Sequence, residues 1–322
     1  MTKYLVSGYI GFDNFGDEAI AKVLIENLTN LKPEKITVLS SNPDKTSKLY
    51  NVNSKHFLKF LKPVIEADVL ISGGGSLLQD ITCLKSLVYY LLVIVSALVF
   101  NKKVIIFAQG FTPFRTKIGR ILTKFVLKNC HEIYVRDVNS QTFLESLGLK
   151  SKVVSDPVFG IKVQEKGRSG VGIQLRDFNS VTDEFLEKLA VGISKNFENQ
   201  EIKLFSLQDN IDLEVLKNFQ TKLARKGVKS IVYQNLSVEE TLDKISSLEY
   251  LIGMRFHSLL VAVKSKVKVL GINYDIKVSN LSNSVGFPLI DLNQPNLEKG
   301  FEELFGLDIT KYEIPEFEFP LK

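Results

Sequence analysis

Val69-Leu70-Ile71-Ser72-Gly73-Gly74-Gly75-Ser76-Leu77-Leu78-Gln79-Asp80 is the stretch on which the fold turns. Its opening run is apolar and uncharged, the pattern of a strand covered on both faces in a parallel sheet. Three glycines follow, where the chain leaves the strand. Residues 69–72 therefore read as a central strand, and 77–100 as the helix after it. Glycines at such a junction expose backbone N–H groups, and the helix dipole adds positive potential. The loop is a candidate cradle for a phosphate or carboxylate, with Gly74 and Gly75 at its heart.

The same alternation extends in both directions. Strands are expected at 3–7, 35–39, 104–109, 132–136 and 152–155, and helices at 17–31, 115–128 and 140–147. The polar, glycine-containing stretch 163–170 reads as a linker. Beyond it the pattern restarts, with strands at 171–175, 203–207, 230–233, 250–253 and 268–272. Helices are expected between them at 183–196, 213–226, 238–246 and 258–264. The predicted fold class is α/β: two Rossmann-like domains, 1–164 and 165–322, facing a cleft in a GT-B-like arrangement. The tail 313–322, alternating acids with Phe and Pro, should be extended and packed on the surface, and 300–322 is the stretch expected to pack back.

Bulk properties agree with an ordinary globular enzyme. A chain of 322 residues with 45% hydrophobic and 24% charged residues has enough apolar material for two cores. The net charge of +5 is mild, and its lysines and arginines are spread rather than striped. That argues against a nucleic-acid partner and suits anionic ligands. Only Cys83 and Cys130 are present, with no metal-ligand spacing, so neither a disulfide framework nor a bound metal is expected. This cysteine usage fits a cytoplasmic protein. The apolar stretch 84–100 is too short to span a bilayer and reads as a buried helix. Its alternative is a helix touching the inner face of the cytoplasmic membrane as a peripheral contact.

Ligands of parallel sheets bind beyond the carboxyl ends of the strands. After the first strand comes Gly8-Tyr9-Ile10-Gly11-Phe12-Asp13-Asn14-Phe15-Gly16-Asp17. Its glycines allow close approach, Asn14 and Asp17 can grip a polyol, and Asp17 stands where a helix cap is expected. The spacing is not that of a dinucleotide fingerprint. Arg136, at the end of another strand, can clamp an anion. In Gly253-Met254-Arg255-Phe256-His257-Ser258, Arg255 and His257 alternate along an extended segment and should point the same way.

Taken together, these loops resemble the polysaccharide pyruvyl transferase family, in particular its CsaB-type cell-wall enzymes. The resemblance rests on residues 8–19, 72–80 continuing through Tyr89-Tyr90, Ala108-Gln109-Gly110, Val135-Arg136-Asp137, Asp156-Pro157-Val158-Phe159, 253–258 and Tyr274-Asp275-Ile276-Lys277-Val278. It implies transfer of pyruvate from phosphoenolpyruvate to a sugar, forming a ketal, without a cofactor. It also implies a glycan acceptor, here a lipid-linked precursor containing N-acetylmannosamine. Phe111-Thr112 is bulkier than the Ile-Gly common in the family, which puts the acceptor preference in doubt.

On this reading the donor lies on Arg136, Arg255, His257 and, by the resemblance, Arg176, with help from Gly74 and Gly75. The acceptor lies on Asn14, Asp17, Asp80 and Gln109. The catalytic set is His257, Arg255 and Asp17. His257 is the candidate general acid, because histidine ordinarily titrates near neutrality. The rival reading is a glycosyltransferase using a nucleotide sugar, with Gln208-Asp209-Asn210 and Glu249 as weak candidates for its nucleotide pocket. A non-enzymatic sugar- or anion-binding module is a further alternative. Oligomeric state is not legible.

Overall fold

A computed structural model of the chain describes residues 1–80, 84–163 and 167–321. It divides into two compact units, Met1–Ile161 with Glu316–Lys322, and Lys162–Pro315. The boundary expected at 164/165 and part of the expected linker lie outside the described residues.

In the first unit the elements are β1 (Lys3–Ser7), α1 (Phe15–Asn30), β2 (Lys35–Ser40), α2 (Pro43–Tyr50), β3 (Asn53–His56), α3 (Leu61–Glu66), β4 (Val69–Gly75) and α4 (Leu84–Val99). Then follow β5 (Lys103–Gln109), α5 (Lys117–Leu127), β6 (Glu132–Val135), α6 (Val138–Ser146) and β7 (Lys152–Val153). The strands form one sheet in the order β3-β2-β1-β4-β5-β6-β7, parallel at every pairing. Leu5, Val6, Leu70, Ile71, Ile105 and Ile106 are all buried, so the central strands are apolar on both sides. One core gathers Val64 of α3, Leu87 and Ile94 of α4, Val126 of α5 and Leu144 of α6. The other gathers Leu24 and Leu28 of α1 with Phe107 and the tail residues Phe317, Phe319 and Leu321. Right-handed crossovers require this split: α3 to α6 cover one face, and α1 covers the other with the tail.

The second unit contains β8 (Val171–Gln174), α7 (Asp183–Asn196), β9 (Ile202–Phe205), α8 (Asp209–Arg225), β10 (Ser230–Tyr233), α9 (Val238–Ser246) and β11 (Tyr250–Gly253). It continues with α10 (Phe256–Lys264), β12 (Lys268–Asn273), α11 (Ile276–Val285), β13 (Leu289–Asp291) and α12 (Leu297–Phe305). Its sheet order is β10-β9-β8-β11-β12-β13, again wholly parallel. Local signals fix the helix ends: Ser237 and Glu240 form a capping box on α9, and α11 stops at Gly286 with φ 92°.

Several sequence expectations are corrected here. The glycines are not a loop before a helix: β4 runs through Gly75, and α4 is described over Leu84–Val99. Residues 77–80 are therefore not helical, and no helix N-terminus stands at the glycines. Helix α1 begins at Phe15 with Asn14 as its cap, so Asp17 is an N-terminal-turn residue and not the cap. The elements β3, α2, α3, α11, β13 and α12 were not expected from the sequence. The strand β3 is Asn-Ser-Lys-His, a polar edge with no apolar run to announce it.

Candidate functional site

Each sheet reverses its strand order once, between β1 and β4 in the first unit and between β8 and β11 in the second. Such a switch point is where loops part and leave room for a ligand.

At the first switch point the glycines serve packing. A methyl group on Gly74 would run into Ile20 of α1, and one on Gly75 would lie 2.7 Å from the Asp17 carboxylate. Gly75 also has φ 83°, a conformation that favours glycine. The carbonyls of this strand end are occupied. Gly110 N donates to Gly75 O at 2.7 Å, and Gln109 Nε2 donates to Gly73 O at 3.0 Å. The other end of the Gln109 amide accepts from Leu77 N at 3.1 Å. Gln109 is fully buried. It is a latch between β4 and β5. It follows a bulge at which Ala108 takes φ 48°, a costly conformation for a non-glycine residue.

Asp80 is likewise engaged in holding the chain. Its carboxylate accepts from Arg115 N at 2.7 Å, Thr116 N at 2.8 Å and the Thr116 hydroxyl at 2.5 Å. Burial opposes its ionisation, but these donors outweigh burial and hold the carboxyl below the ordinary carboxylate range. Asp80 therefore fixes the entry to α5.

The loop after β1 is held by Glu18, which accepts from Gly11 N at 2.6 Å and from the Tyr50 hydroxyl at 2.9 Å. Burial raises the Glu18 pKa despite these bonds. Asn14 caps α1 by accepting from Gly16 N. Asp17 is half-buried beside Gly75, close enough to Tyr90 to help burial push that phenol up. Around the loop stands an aromatic group: Tyr9 stacks on Phe12 at 4.2 Å, Phe12 meets Phe57, and Phe57 meets Tyr89. Flat aromatic faces beside carboxylate and amide groups are suited to a sugar ring.

Arg136 is buried across Gly110, where any Cβ would meet its guanidinium. Its neighbours are Asp137 at 3.3 Å, Ser76 at 3.4 Å and Asp156 at 3.9 Å. It is thus already bracketed by two carboxylates.

The second switch point is cationic. Arg176 follows β8, and Tyr274 and Lys277 follow β12. Arg176 Nη1 lies 3.4 Å from the Tyr274 hydroxyl, and its guanidinium and the Lys277 ammonium lie 5.2 and 5.6 Å from the Tyr274 ring. His257 stands between them in the strand order, at the start of α10 after β11.

Arg255 does not share this orientation. It is the residue before α10, and its guanidinium turns inward to Asp212, with contacts at 2.6, 2.8 and 3.1 Å. The extended segment that would align it with His257 ends at Arg255, because the helix begins at Phe256. Asp212 is fully buried and also accepts from Leu207 N and Gln208 N. Gln174 Oε1 accepts from Arg255 N at 2.7 Å. Arg255, Asp212 and Gln174 therefore tie the ends of β8, β9 and β11 together. Neither Asp212 nor Gln174 is marked out by the sequence.

A family model for polysaccharide pyruvyl transferases matches residues 14–276. The chain belongs to the polysaccharide pyruvyl transferase family. No curated protein matches this member in sequence. Among solved structures it is similar to a putative UDP-N-acetylglucosamine 2-epimerase of Listeria monocytogenes, with TM-score 0.71 and 11% identity over 98% of this chain and 91% of that one. It is similar to the UDP-GlcNAc 2-epimerase of Methanocaldococcus jannaschii, with TM-score 0.68 and 13% identity over 99% and 96%. A glycosyltransferase of Rickettsia africae gives TM-score 0.60 and 11% identity over 96% and 90%. At such identities the likeness is one of fold, and the fold is GT-B-like.

For this family member the expected residues fall into two groups. His257 and Arg176 sit at the second switch point, and Asn14 and Asp17 at the first. Arg255, Asp80 and Gln109 hold loops in place, while Gly74 and Gly75 admit α1. Tyr274 and Lys277 were not marked as site residues. The signal available for them was their place directly after a strand, within a stretch that carries the family resemblance.

Proposed function

We propose that this transferase moves the pyruvyl group of phosphoenolpyruvate onto two hydroxyls of one sugar in a polysaccharide precursor. The observation that carries this reading is the Arg176–Tyr274–Lys277 cluster, from the loops that flank the strand leading to His257, on a chain of this family. Phosphoenolpyruvate presents a carboxylate and a phosphate, and two cations around one tyrosine, after β8 and β12, suit that pair of anions. Tyr274 orients both cations and offers its hydroxyl to the same ligand.

His257 acts as general acid. Its proton goes to the methylene carbon of phosphoenolpyruvate and leaves a cation at C2 stabilised by the ester oxygen. One sugar hydroxyl adds to C2 and loses its proton. The C2–O bond to phosphate then breaks, and the second hydroxyl adds and loses its proton. Two hydroxyl protons are released; one replaces the proton used at carbon and one leaves with phosphate. Asp17 is the base for a hydroxyl, and Asn14 with the Tyr9–Phe12 pair positions the sugar. The acceptor is a lipid-linked cell-wall saccharide containing N-acetylmannosamine, handled in the cytoplasm.

The test is incubation with phosphoenolpyruvate and a synthetic N-acetylmannosamine-containing saccharide. The expected result is the mass gain of a pyruvyl ketal with equimolar phosphate. Thermal protection by UDP-sugars but not by phosphoenolpyruvate, with glycosyl transfer in place of the ketal, would overturn the reading.

A further inference from the structure

Helix α5 is apolar on both of its sides. Its inner side buries Gly119, Thr123, Val126 and Leu127. Its outer side carries Ile118, Ile121, Leu122 and Phe125, which are 63, 65, 41 and 70% exposed. Water-facing helices place such residues inward. The neighbouring α4, which packs against α5, repeats the feature with a stripe of Val88, Leu92, Val95 and Val99. On its other side α3 adds exposed Leu61 and Ile65. Three adjacent helices on one face of the first sheet thus present a continuous apolar surface, of the kind that marks an interaction site.

Charge indicates the partner. From Asp80 to Glu132 the intervening chain has no Asp or Glu and eight Lys or Arg. Lys117, Arg120, Lys124 and Lys128 flank the apolar stripe of α5 at helical spacing, all exposed. Lys85 at the start of α4 and Arg115 before α5 add to them. None of these six is in an ion pair among the described residues. A second copy of the chain docking here would set like charges against like. A surface of anionic headgroups over hydrocarbon satisfies both the basic rim and the apolar stripe. No described helix is long and apolar enough to cross a membrane. We infer that the α3–α4–α5 face docks on an anionic lipid bilayer, seating the apolar stripes of α4 and α5 at the headgroup boundary.

The test is co-sedimentation of the full chain with vesicles of phosphatidylcholine alone and with about a third phosphatidylglycerol, at low and physiological salt. The expected result is binding to the anionic vesicles that weakens with salt. An Ile121→Ser, Phe125→Ser variant should lose it, with circular dichroism unchanged because both side chains lie outside the core. Lys117→Gln and Lys124→Gln should each weaken partitioning about fivefold. All these variants should still act on a water-soluble acceptor at the wild-type rate, so failure of the docking proposal is separable from failure of the proposed reaction. Absence of binding to anionic vesicles at physiological salt would overturn it. So would a wild-type dimer in sedimentation velocity that the Ile121→Ser, Phe125→Ser variant converts to monomer.

Discussion

The two units share one strand order over six strands, with β7 added in the first, yet their switch points are built differently. In the first, the end of β4 is glycine, set against Ile20 and Asp17, and the surrounding groups are carboxylates, aromatic rings and an Arg136 guanidinium already paired to Asp137 and Asp156. In the second, the end of β11 leads into a buried Arg255–Asp212 pair, and Arg176 and Lys277 stand beside Tyr274. Equal topology therefore does not imply equal chemistry. The first point is shaped by how closely a helix can approach a sheet, and the second by how its positive charges are held: Arg255 by Asp212, Lys277 by Asp275 at 3.6 Å and Arg176 against the Tyr274 ring.

The sharpest way to break this contrast is at Asp212. Asp212→Ala leaves the Arg255 guanidinium buried without its counter-charge and frees the Leu207 and Gln208 amides. A loss of about 3–5 kcal/mol is expected in urea unfolding. A loss below about 1 kcal/mol would mean that Arg255 is free to turn outward and is not a structural tie.

The next effect is on turnover. Arg176→Ala should lower kcat/KM for phosphoenolpyruvate about a hundredfold, with the unfolding midpoint nearly unchanged, because the residue is half-buried beside a ring and outside the core. Arg255→Ala should do the reverse, costing stability first. If the two variants behaved alike, the division between ligand-facing and structural cations at this switch point would fail.

How much of this was legible follows from range. The apolar strands announced themselves locally, so every strand of the two sheets except β3 and β13 could be read from the chain. The role of Gly74 could not, because the group that forbids a side chain there is Ile20, on a helix far away in sequence. Arg255 misled for the same reason: its partner Asp212 lies 43 residues upstream, inside a helix with no unusual pattern. Asn14 and Asp17 were legible as a polar pair but not in order, since only the backbone shows which of them caps α1. Lys277 was visible as a basic residue after a strand and lacked only the Tyr274–Arg176 contact that gives it meaning.

Gly74→Ala probes the packing side of the contrast. It should cost about 2 kcal/mol by forcing α1 away from β4. Ile20→Ala in the same chain removes the Cγ2 methyl that a side chain at position 74 would meet and should return part of that loss, and KM for phosphoenolpyruvate should stay put in both. A large rise in KM without loss of stability would restore the glycines as an anion cradle.

The smallest effect expected is at Asp80, and pH exposes it. The folded carboxyl titrates below its ordinary value of 3.8 because the Thr116 hydroxyl and the Arg115 and Thr116 amides outweigh the cost of burial. The unfolded chain therefore binds that proton more readily. The contribution of Asp80 to stability is complete above the unfolded value and fades as pH falls through the folded one. Asp80→Asn should accordingly be less stable than wild type by about 1 kcal/mol at neutral pH. Below 3.8 the two unfolding curves should converge. A difference that stayed constant with pH would show that Asp80 holds the entry to α5 by shape alone and not through its charge.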